Sequence, residues 1–253
     1  MKLYDELGEW YPTFSSAEEY RQEAAFFDRV LRNATKPRPH TLLELGSGVG
    51  NNASYLKKRF TMTLVDRSTQ MLAASRGRNP ELEHIVGDIR TIRLGRVFDA
   101  VFVHDAIAHM TTEAELRTVM ETAFIHCRPG GVAIFVPDFV RETFVEGTDH
   151  GGNDSERGGV RYVQWTTDPD PTDNTFIVDF GILIRDKAGA VRVVHDQHLY
   201  GLFPRSTWLR LLREVGFKAN VERDEYVRDL FRGRRPELPH AKRTNSQSLT
   251  SIK

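Results

Sequence analysis

The sequence predicts an α/β fold, with a doubly wound, mostly parallel seven-stranded sheet and an antiparallel strand insertion before the last helix. From Thr41 to Pro137, short apolar runs alternate with amphipathic segments, the pattern of a parallel sheet covered by helices. The first of these runs ends in Leu42-Leu43-Glu44-Leu45-Gly46-Ser47-Gly48-Val49-Gly50, an acidic residue entering a turn with glycine at every second position. After Asp138 the pattern changes to three longer strand-like runs separated by turns, then one helix and one strand. Glycines in such a strand-to-helix turn give the backbone left-handed freedom and bring it close to a ligand, as in Rossmann-like sheets.

In chain order, Ser16 to Arg32 carries Tyr20, Ala24, Phe27 and Leu31 at helical spacing. Ser16 and Glu19 there form a capping box. Strands are expected at Thr41 to Leu45, Thr61 to Val65, Glu83 to Val86, Phe98 to Val103 and Val132 to Val136. Helices are expected around Asn52 to Arg59, Gln70 to Arg76 and Glu113 to His126, the last closed by Arg128-Pro129-Gly130-Gly131. Gly147 to Gly159 is glycine-rich and polar and reads as a mobile loop. Val160 to Thr166, Thr175 to Arg185 and Val191 to Phe203 read as an antiparallel meander, separated by Asp168-Pro169-Asp170-Pro171 and Lys187-Ala188-Gly189. Ser206 to Val215 returns to helix and Phe217 to Tyr226 to strand. Three parts follow: an N-terminal helical lid at 1–40, a ligand-binding domain at 41–230 with the insertion at about 160–203, and a basic, disordered tail at 231–253.

Lysine plus arginine equals aspartate plus glutamate at 35 each, so no overall field draws in nucleic acid or a membrane surface, and a small-molecule substrate is expected. The single cysteine, Cys127, excludes an internal disulfide framework and reads as buried rather than reactive. No apolar run reaches transmembrane length, and Lys2, Asp5 and Glu6 stand where a signal peptide has its apolar core. The expected setting is the cytoplasm.

Asp66 closes the second strand twenty residues after Gly46, where an acidic residue can accept hydrogen bonds from ribose hydroxyls. Gly87-Asp88-Ile89 follows the third strand and offers a carboxylate and an amide near the place of an adenine ring. Three such features at the carboxyl ends of three successive strands are far harder to obtain by accident than one. The competing account has Asp66 and Asp88 only capping helices.

On these residues the chain resembles the class I S-adenosylmethionine-dependent methyltransferases. Glu44 to Gly50 matches the family's E/D-x-G-x-G-x-G motif, Leu64-Val65-Asp66 its ribose-binding strand end, and Gly87-Asp88-Ile89 its adenine-side motif. Phe98-Asp99-Ala100-Val101-Phe102 and Arg128-Pro129-Gly130-Gly131 complete the pattern. The resemblance implies S-adenosylmethionine as cofactor and S-adenosylhomocysteine as product. By it, Glu44 orients the methionine amino group, Gly46 and Gly48 with Ser47 give the cofactor room, and Asp66 beside Arg67 holds the ribose. Asp88 accepts the adenine amine between Gly87 and Ile89, Met71 touches the adenine face or belongs to the core, and His104 shapes the cofactor pocket. The loop also separates cofactors. Dinucleotide sites commonly use G-x-G-x-x-G to cradle a pyrophosphate, whereas glycines at 46, 48 and 50 with Glu44 beside them suit a cationic head.

Methyl transfer from a sulfonium is an in-line displacement, so the protein's task is to align the nucleophile and keep it unprotonated. His109, in His104-Asp105-Ala106-Ile107-Ala108-His109-Met110, is the leading candidate for orienting or deprotonating a substrate, because histidine titrates near neutrality. A histidine that caps a helix or packs at the cofactor edge is the competing reading. Tyr4, Trp10, Tyr11 and Tyr20 suit a lid that closes over a sulfonium by cation–π contact, and Tyr11 is the second catalytic candidate. The early Tyr-Asp pair, the following Trp-Tyr, the stretch through His109-Met110 and the antiparallel insertion are similar to the bacterial amino-sugar N,N-dimethyltransferases. In those relatives the inserted strands help build a dimer, so a homodimer is a further expectation. The Gly147 to Gly159 stretch and the basic tail depart from that pattern.

His195 and His198 lie three apart in a strand and so point to opposite faces, which argues against a metal site. His198 and Tyr200 share one face. The absence of N/D-P-P-Y/F after the fourth strand disfavours nucleic-acid methylation. Two other readings stand beside the enzyme, a non-catalytic S-adenosylmethionine-binding sensor and a nicotinamide-dependent oxidoreductase.

Overall fold

A computed structural model describes residues 1–223 and 228–237. The N-terminal segment holds a 3-10 turn (Gly8–Trp10), helix α1 (Tyr11–Phe14), a second 3-10 turn (Ala17–Tyr20) and helix α2 (Arg21–Asn33). The central unit follows as β1 (Thr41–Leu45), α3 (Ala53–Leu56), β2 (Thr61–Asp66), α4 (Thr69–Arg78), β3 (Glu83–Val86), β4 (Phe98–His104), a 3-10 turn (Ala106–His109), α5 (Glu113–His126) and β5 (Cys127–Val136). Then come β6 (Gly147–Gly151), β7 (Asp154–Ser155), β8 (Gly158–Thr167), β9 (Thr175–Asp186) and β10 (Val191–Gly201). The last described elements are α6 (Arg205–Val215), β11 (Lys218–Arg223) and β12 (Asp229–Arg234).

The main sheet has seven strands in the order β11-β12-β5-β4-β1-β2-β3. Strands β1 to β5 run parallel, and β12 is antiparallel to both of its neighbours. The strand order reverses between β1 and β4, the switch point where open α/β sheets take ligands. Alternation along the strands divides the core. Leu43, Leu45, Val101 and Val103 face α5 and α6, where Leu116, Val119, Trp208 and Leu211 cover them. Leu42, Leu64, Ala100 and Phe102 face the other way, onto Phe27 and Leu31 of α2 and Ala53 and Leu56 of α3. A β-strand period of two thus sets which helix lies on which side.

The insertion is a second, antiparallel sheet, β10-β9-β8-β6 with β7 paired to β8. Its inner face, through Val160, Phe176, Val178, Phe180, Ile182 and Ile184, packs on Leu3, Leu7 and Trp10. The N-terminal segment is therefore held by the second sheet's apolar face, and Asp196 Oδ2 accepts the Leu3 amide at 2.8 Å.

Several boundaries differ from the sequence reading. The Gly147 to Gly159 stretch is not a loop: β6 pairs with β8 from Gly147↔Thr166 to Gly151↔Tyr162, and β7 adds two pairs. These residues are exposed and polar, so their pairing rests on backbone hydrogen bonds and leaves no apolar alternation to read. The helix at 16–32 keeps its capping box at Ser16 and Glu19 but winds as a 3-10 turn to Tyr20 before α2 begins. The helix expected at 52–59 is a single turn, α3. Strand β5 starts at Cys127 rather than Val132, because the Gly130 amide donates to the Arg235 carbonyl and the Arg235 amide to that of Gly131. Residues 231–234, expected in the tail, are instead part of β12 inside the main sheet, pairing Phe231 with Phe135. The strand end expected at 224–226 and the tail from 238 lie outside the described residues.

Candidate active site

A cavity of about 430 Å³ opens at the carboxyl ends of β1 to β4, closed on one side by the N-terminal segment and on another by β10. The residues proposed from the sequence for cofactor binding and catalysis line it: Glu44, Gly46, Ser47, Gly48, Asp66, Arg67, Met71, Gly87, Asp88, Ile89, His104, His109 and Tyr11. Trp10, expected in the lid, packs instead in the core under the second sheet.

The glycine turn is left-handed at Gly46 (φ 80°) and Gly48 (φ 53°). A side chain at Gly46 would overlap Ala106, so the room there is taken by the turn after β4 rather than by a ligand. At Gly48 a Cβ would meet nothing within 4 Å, so this glycine is the one that faces open space. Glu44, at the end of β1, is buried, and burial pushes its carboxyl up to about 8, with Asp66 and Glu23 adding to the rise against His104. Its Oε2 has no hydrogen-bond partner, and neither do Ser47 Oγ and Asn52 Oδ1 in the same wall. Three unpartnered polar atoms around a glycine turn fit the polar head of a ligand, and a cationic group beside Glu44 would favour the ionised form that burial opposes.

Asp66 ends β2 with one oxygen on each side of the turn. Its Oδ2 accepts the Gly48 amide at 2.8 Å and its Oδ1 the Ser68 amide at 2.8 Å, and burial still raises its carboxyl above the ordinary value. Ser68 caps α4 and donates to the Tyr4 carbonyl at 2.7 Å, tying the N-terminal segment to this corner. Met71 is buried in the wall behind it. Asp88 is engaged within the chain: Arg90 reaches Oδ2 through Nη2 at 2.7 Å and Oδ1 through Nε at 3.0 Å, and holds the carboxyl below its usual range. Arg90 also reaches Glu115 at 2.9 Å, so this edge of the cavity is held by α5.

At the end of β4, His104 Nε2 lies 2.6 Å from Glu23 Oε1 of α2 and 3.1 Å from Asp105 Oδ1. Arg228 Nη2 contacts the same Glu23 oxygen at 2.8 Å. Burial opposes both charges, yet Asp105 and Glu23 hold the imidazolium up to about 9, and His104 with Arg228 takes the Glu23 carboxyl down to about 2. Asp105 has φ 41°, the single non-glycine residue with positive φ among those described, and the turn it makes sends Ala106 to His109 across the cavity mouth. Glu23 and Arg228 escaped the sequence reading because each lies far from the motifs in the chain.

The mouth itself is aromatic. Tyr4, Tyr11, Tyr20, His109 and Tyr200 line it, with the Tyr4 and His109 rings 5.5 Å apart edge to face and the His109 and Tyr200 rings 4.7 Å apart. Burial raises the hydroxyls of all four tyrosines, so they act as neutral donors and acceptors. His109 departs from the expectation that it titrates near neutrality. Burial, then the neighbouring His198, Arg67 and the terminal amine, push it down to about 3, which leaves it a neutral ring. On β10, His195 is exposed and His198 fully buried, on opposite faces as their spacing requires. Among the described residues no group of three or more His, Cys, Asp or Glu side chains is placed to hold a metal ion.

A glycine turn with an acceptor beneath it, an acid at the end of β2 and an aromatic mouth at the switch point together define the class I S-adenosylmethionine-dependent methyltransferase site. The comparisons agree: residues 42–131 match the family model described as a methyltransferase domain, and the chain is an S-adenosylmethionine-dependent methyltransferase. The chain is 29% identical over 83% of its length to a dTDP-3-amino-3,4,6-trideoxy-α-D-glucopyranose N,N-dimethyltransferase of Streptomyces venezuelae, covering 86% of that protein. It is 28% identical over 89% of its length to a dTDP-3-amino-3,6-dideoxy-α-D-glucopyranose N,N-dimethyltransferase of Streptomyces fradiae, covering 87% of it. Among solved structures, DesVI of Streptomyces venezuelae superimposes with a TM-score of 0.77 at 25% identity, over 86% of this chain and 92% of that one. The sugar N-methyltransferase KedS8 of Streptoalloteichus gives a TM-score of 0.77 at 27% identity, over 88% and 90%. The chain transfers a methyl group from S-adenosylmethionine to a small-molecule acceptor.

Proposed function

We propose that the acceptor is the amine of an amino sugar. The supporting observation is the lining of the cavity mouth. Four tyrosine hydroxyls suit a hydroxylated ligand, and the faces of their rings suit a cationic one. The two relatives named above act on amino sugars by their names.

For the donor, the proposed holders are Glu44, Ser47, Gly48, Asp66, Met71 and Asp88. Glu44 supplies the unpartnered oxygen for an amino group, Gly48 the open approach, and Asp66 a carboxylate already fixed by two backbone amides. Asp88 reaches an adenine-side amine only with a lone pair that Arg90 leaves free. When bound, the donor supplies a methyl on positively charged sulfur, which leaves as the N–CH3 bond forms and the S–CH3 electron pair stays on sulfur. The chain's residues align the acceptor and hold its nitrogen unprotonated. Tyr4, Tyr11 and His109 supply oriented polar contacts there, and the ion pair between Glu23 and His104 keeps α2 closed over the site.

The test offers the purified chain S-adenosylmethionine with dTDP-3-amino-3,6-dideoxy-α-D-glucopyranose and reads methylated product by mass spectrometry. Mono- and dimethylated sugar supports the reading. S-adenosylhomocysteine binding without methylation of this or other amino sugars removes it. In the same preparation, Asp66→Asn is expected to weaken S-adenosylhomocysteine binding by roughly 1.5–3 kcal/mol, the worth of hydrogen bonds to a charged group. Unchanged affinity by calorimetry removes Asp66 from the ribose.

We also propose that the outer face of the second sheet pairs with a second copy of this chain in the cytoplasm. Val163, Trp165, Leu183, Val193 and Leu199 stand exposed on one face of β8, β9 and β10, with Val193 opposite Leu183 and His195 opposite Gly181 and Val163 in register. Trp165 is 60% and Val193 72% exposed, which is unusual for such large apolar side chains on a sheet face.

A further inference from the structure

His109 resists protonation in its buried place and no carboxylate among the described residues pairs with it, whereas a second histidine near the cavity, His198, has a carboxylate to stabilise its cation. Strand β10 places Asp196, His198 and Tyr200 at alternate positions, all facing inward, and joins them in one line. His198 Nε2 lies 2.9 Å from Asp196 Oδ2, and His198 Nδ1 lies 2.8 Å from the Tyr200 hydroxyl. Tyr200 in turn reaches the Tyr4 hydroxyl at 3.4 Å and lines the cavity, whereas His198 has no exposed surface.

The proton positions follow from this order. Against its burial, the Leu3 amide and then His198 hold the Asp196 carboxyl below its usual range, so it is an acceptor only. His198 must therefore carry its hydrogen on Nε2, which leaves Nδ1 as an acceptor. Tyr200 then donates to Nδ1, which leaves its oxygen lone pairs as acceptors on the cavity side, beside the Tyr4 hydroxyl. A tyrosine hydroxyl without this partner would rotate freely between donating and accepting.

We propose that Asp196, His198 and Tyr200 form a proton relay that accepts a proton from the acceptor ammonium and so frees its nitrogen for methylation. This rests on the amino-sugar reading above. The step balances as one proton moved along two hydrogen bonds. The ammonium N–H proton passes to the Tyr200 oxygen while the Tyr200 hydroxyl proton passes to His198 Nδ1, and the N–H electron pair remains on nitrogen as the nucleophile. Burial lowers the His198 imidazole and Asp196 opposes that shift, so the imidazolium is a transient species paired with Asp196, as in Ser-His-Asp hydrolases, where the acid fixes the tautomer and stabilises the cation. Because His198 is sealed from solvent, the proton returns by the same path after the product leaves. Tyr200 touches the acceptor in this scheme, and His198 and Asp196 are positioning residues acting through it.

The other charged or titratable groups facing His198 are Tyr4 from the N-terminal segment, His109 from the turn after β4, and the terminal amine. Phe180 covers it from β9. None supplies a second carboxylate, so Asp196 alone sets the tautomer.

The experiment has an arm that needs no turnover. In protein with 15N-labelled histidine, the His198 ring is expected as the Nε2–H tautomer, because Asp196 Oδ2 accepts both the Leu3 amide and His198 Nε2. A wild-type Nδ1–H tautomer overturns the relay. The second arm follows kcat against pH with dTDP-3-amino-3,6-dideoxy-α-D-glucopyranose for wild type, Asp196→Asn and Tyr200→Phe. Both variants are expected to lose about 10²-fold below the pKa of the acceptor amine, the ordinary scale of general-base catalysis, and to approach wild type above it. S-adenosylhomocysteine affinity is expected unchanged, which reports folding. A loss equal at every pH, or no loss, overturns the relay and leaves amine methylation standing. No methylation of any amine by the wild type removes the amino-sugar reading and the relay with it.

Discussion

Glu23 of α2 and His104 of β4 meet at 2.6 Å with both side chains nearly sealed from solvent, and Arg228 contacts Glu23 from the approach to β12. The contact joins the helix over the cavity to the strand end beneath it, so the cover over the site and the sheet share one buried ion pair.

This pair has a defined pH window. The His104 imidazolium, raised from 6.5 to about 9, contributes stability that is full below pH 6.5 and lost as pH rises through 9. The Glu23 carboxylate, lowered from 4.5 to about 2, contributes stability present above pH 4.5 and lost as pH falls through 2. These describe one interaction seen from its two partners. Glu23→Gln is expected to cost roughly 3 kcal/mol between pH 4.5 and 6.5, where a buried pair is broken but one hydrogen bond survives. The deficit should shrink on both sides of that range in urea unfolding. A deficit that grows towards pH 9 would contradict the pairing.

Glu44 gives the opposite sign. Its folded carboxyl, pushed up to about 8, keeps a proton that the unfolded chain releases from pH 4.5 upward, so the wild type loses stability as pH rises from 4.5 to 8. Glu44→Gln removes that loss. The variant is expected to be more stable at pH 8 by about 1–3 kcal/mol and nearly equal at pH 4.5. It should bind S-adenosylmethionine more weakly by roughly 1.5–3 kcal/mol, because an ammonium–carboxylate bond becomes a neutral one. Unfolding at the two pH values and calorimetry read both. A less stable variant at pH 8 would make Glu44 part of the scaffold.

The parallel strands β1 to β4 and their ligand-facing ends were legible in the sequence because each required a local signal, whereas β12, which lies in the same sheet, was read as the start of a tail. Leu42, Leu43 and Leu45 make an apolar strand broken only by Glu44, Gly48 needs a left-handed backbone, and α5 keeps its expected ends from Glu113 to His126. What stayed hidden depends on distant partners. Glu23 reads as one more polar position on an amphipathic helix until His104 is folded against it. Strand β6 has nothing but backbone to pair with. Gly46 looks like a ligand's glycine, and its missing side chain is filled by Ala106, sixty residues on. Asp196, His198 and Tyr200 carried a usable signal, three polar groups at strand period two on a face that is otherwise apolar.

His109 offers a pH test of its own. A histidine lowered from 6.5 to about 3 stays neutral throughout the range in which the enzyme is assayed. Removing it should then leave the acidic limb of the kcat profile in place. His109→Gln is expected to lower kcat by about 10-fold through lost orientation of the acceptor, with the inflection unmoved and S-adenosylhomocysteine affinity retained. Disappearance of the inflection would return His109 to the role of base. Its burial as a neutral ring also means that the folded state resists its protonation, so stability falls as pH drops from 6.5 through 3, and the Gln variant should be spared that part of acid unfolding.

The exposed sheet face provides the last test. Trp165 and Val193 stand on β8 and β10, on either side of β9, so a two-fold axis through this face would bury each of them twice. Burying such a side chain is worth about 1.5–3 kcal/mol, and symmetry doubles it. Trp165→Glu with Val193→Lys should therefore raise the dimer dissociation constant at least about 100-fold, since each 1.4 kcal/mol is a factor of ten. Both positions lie on the outer face, away from the inner apolar side that holds Leu3, Leu7 and Trp10, so the monomer's fold should be kept. Sedimentation velocity across a concentration series reads the outcome. A wild type that sediments as a monomer at every concentration would sink the pairing, and a variant that dimerises as tightly as the wild type would move the interface off this face.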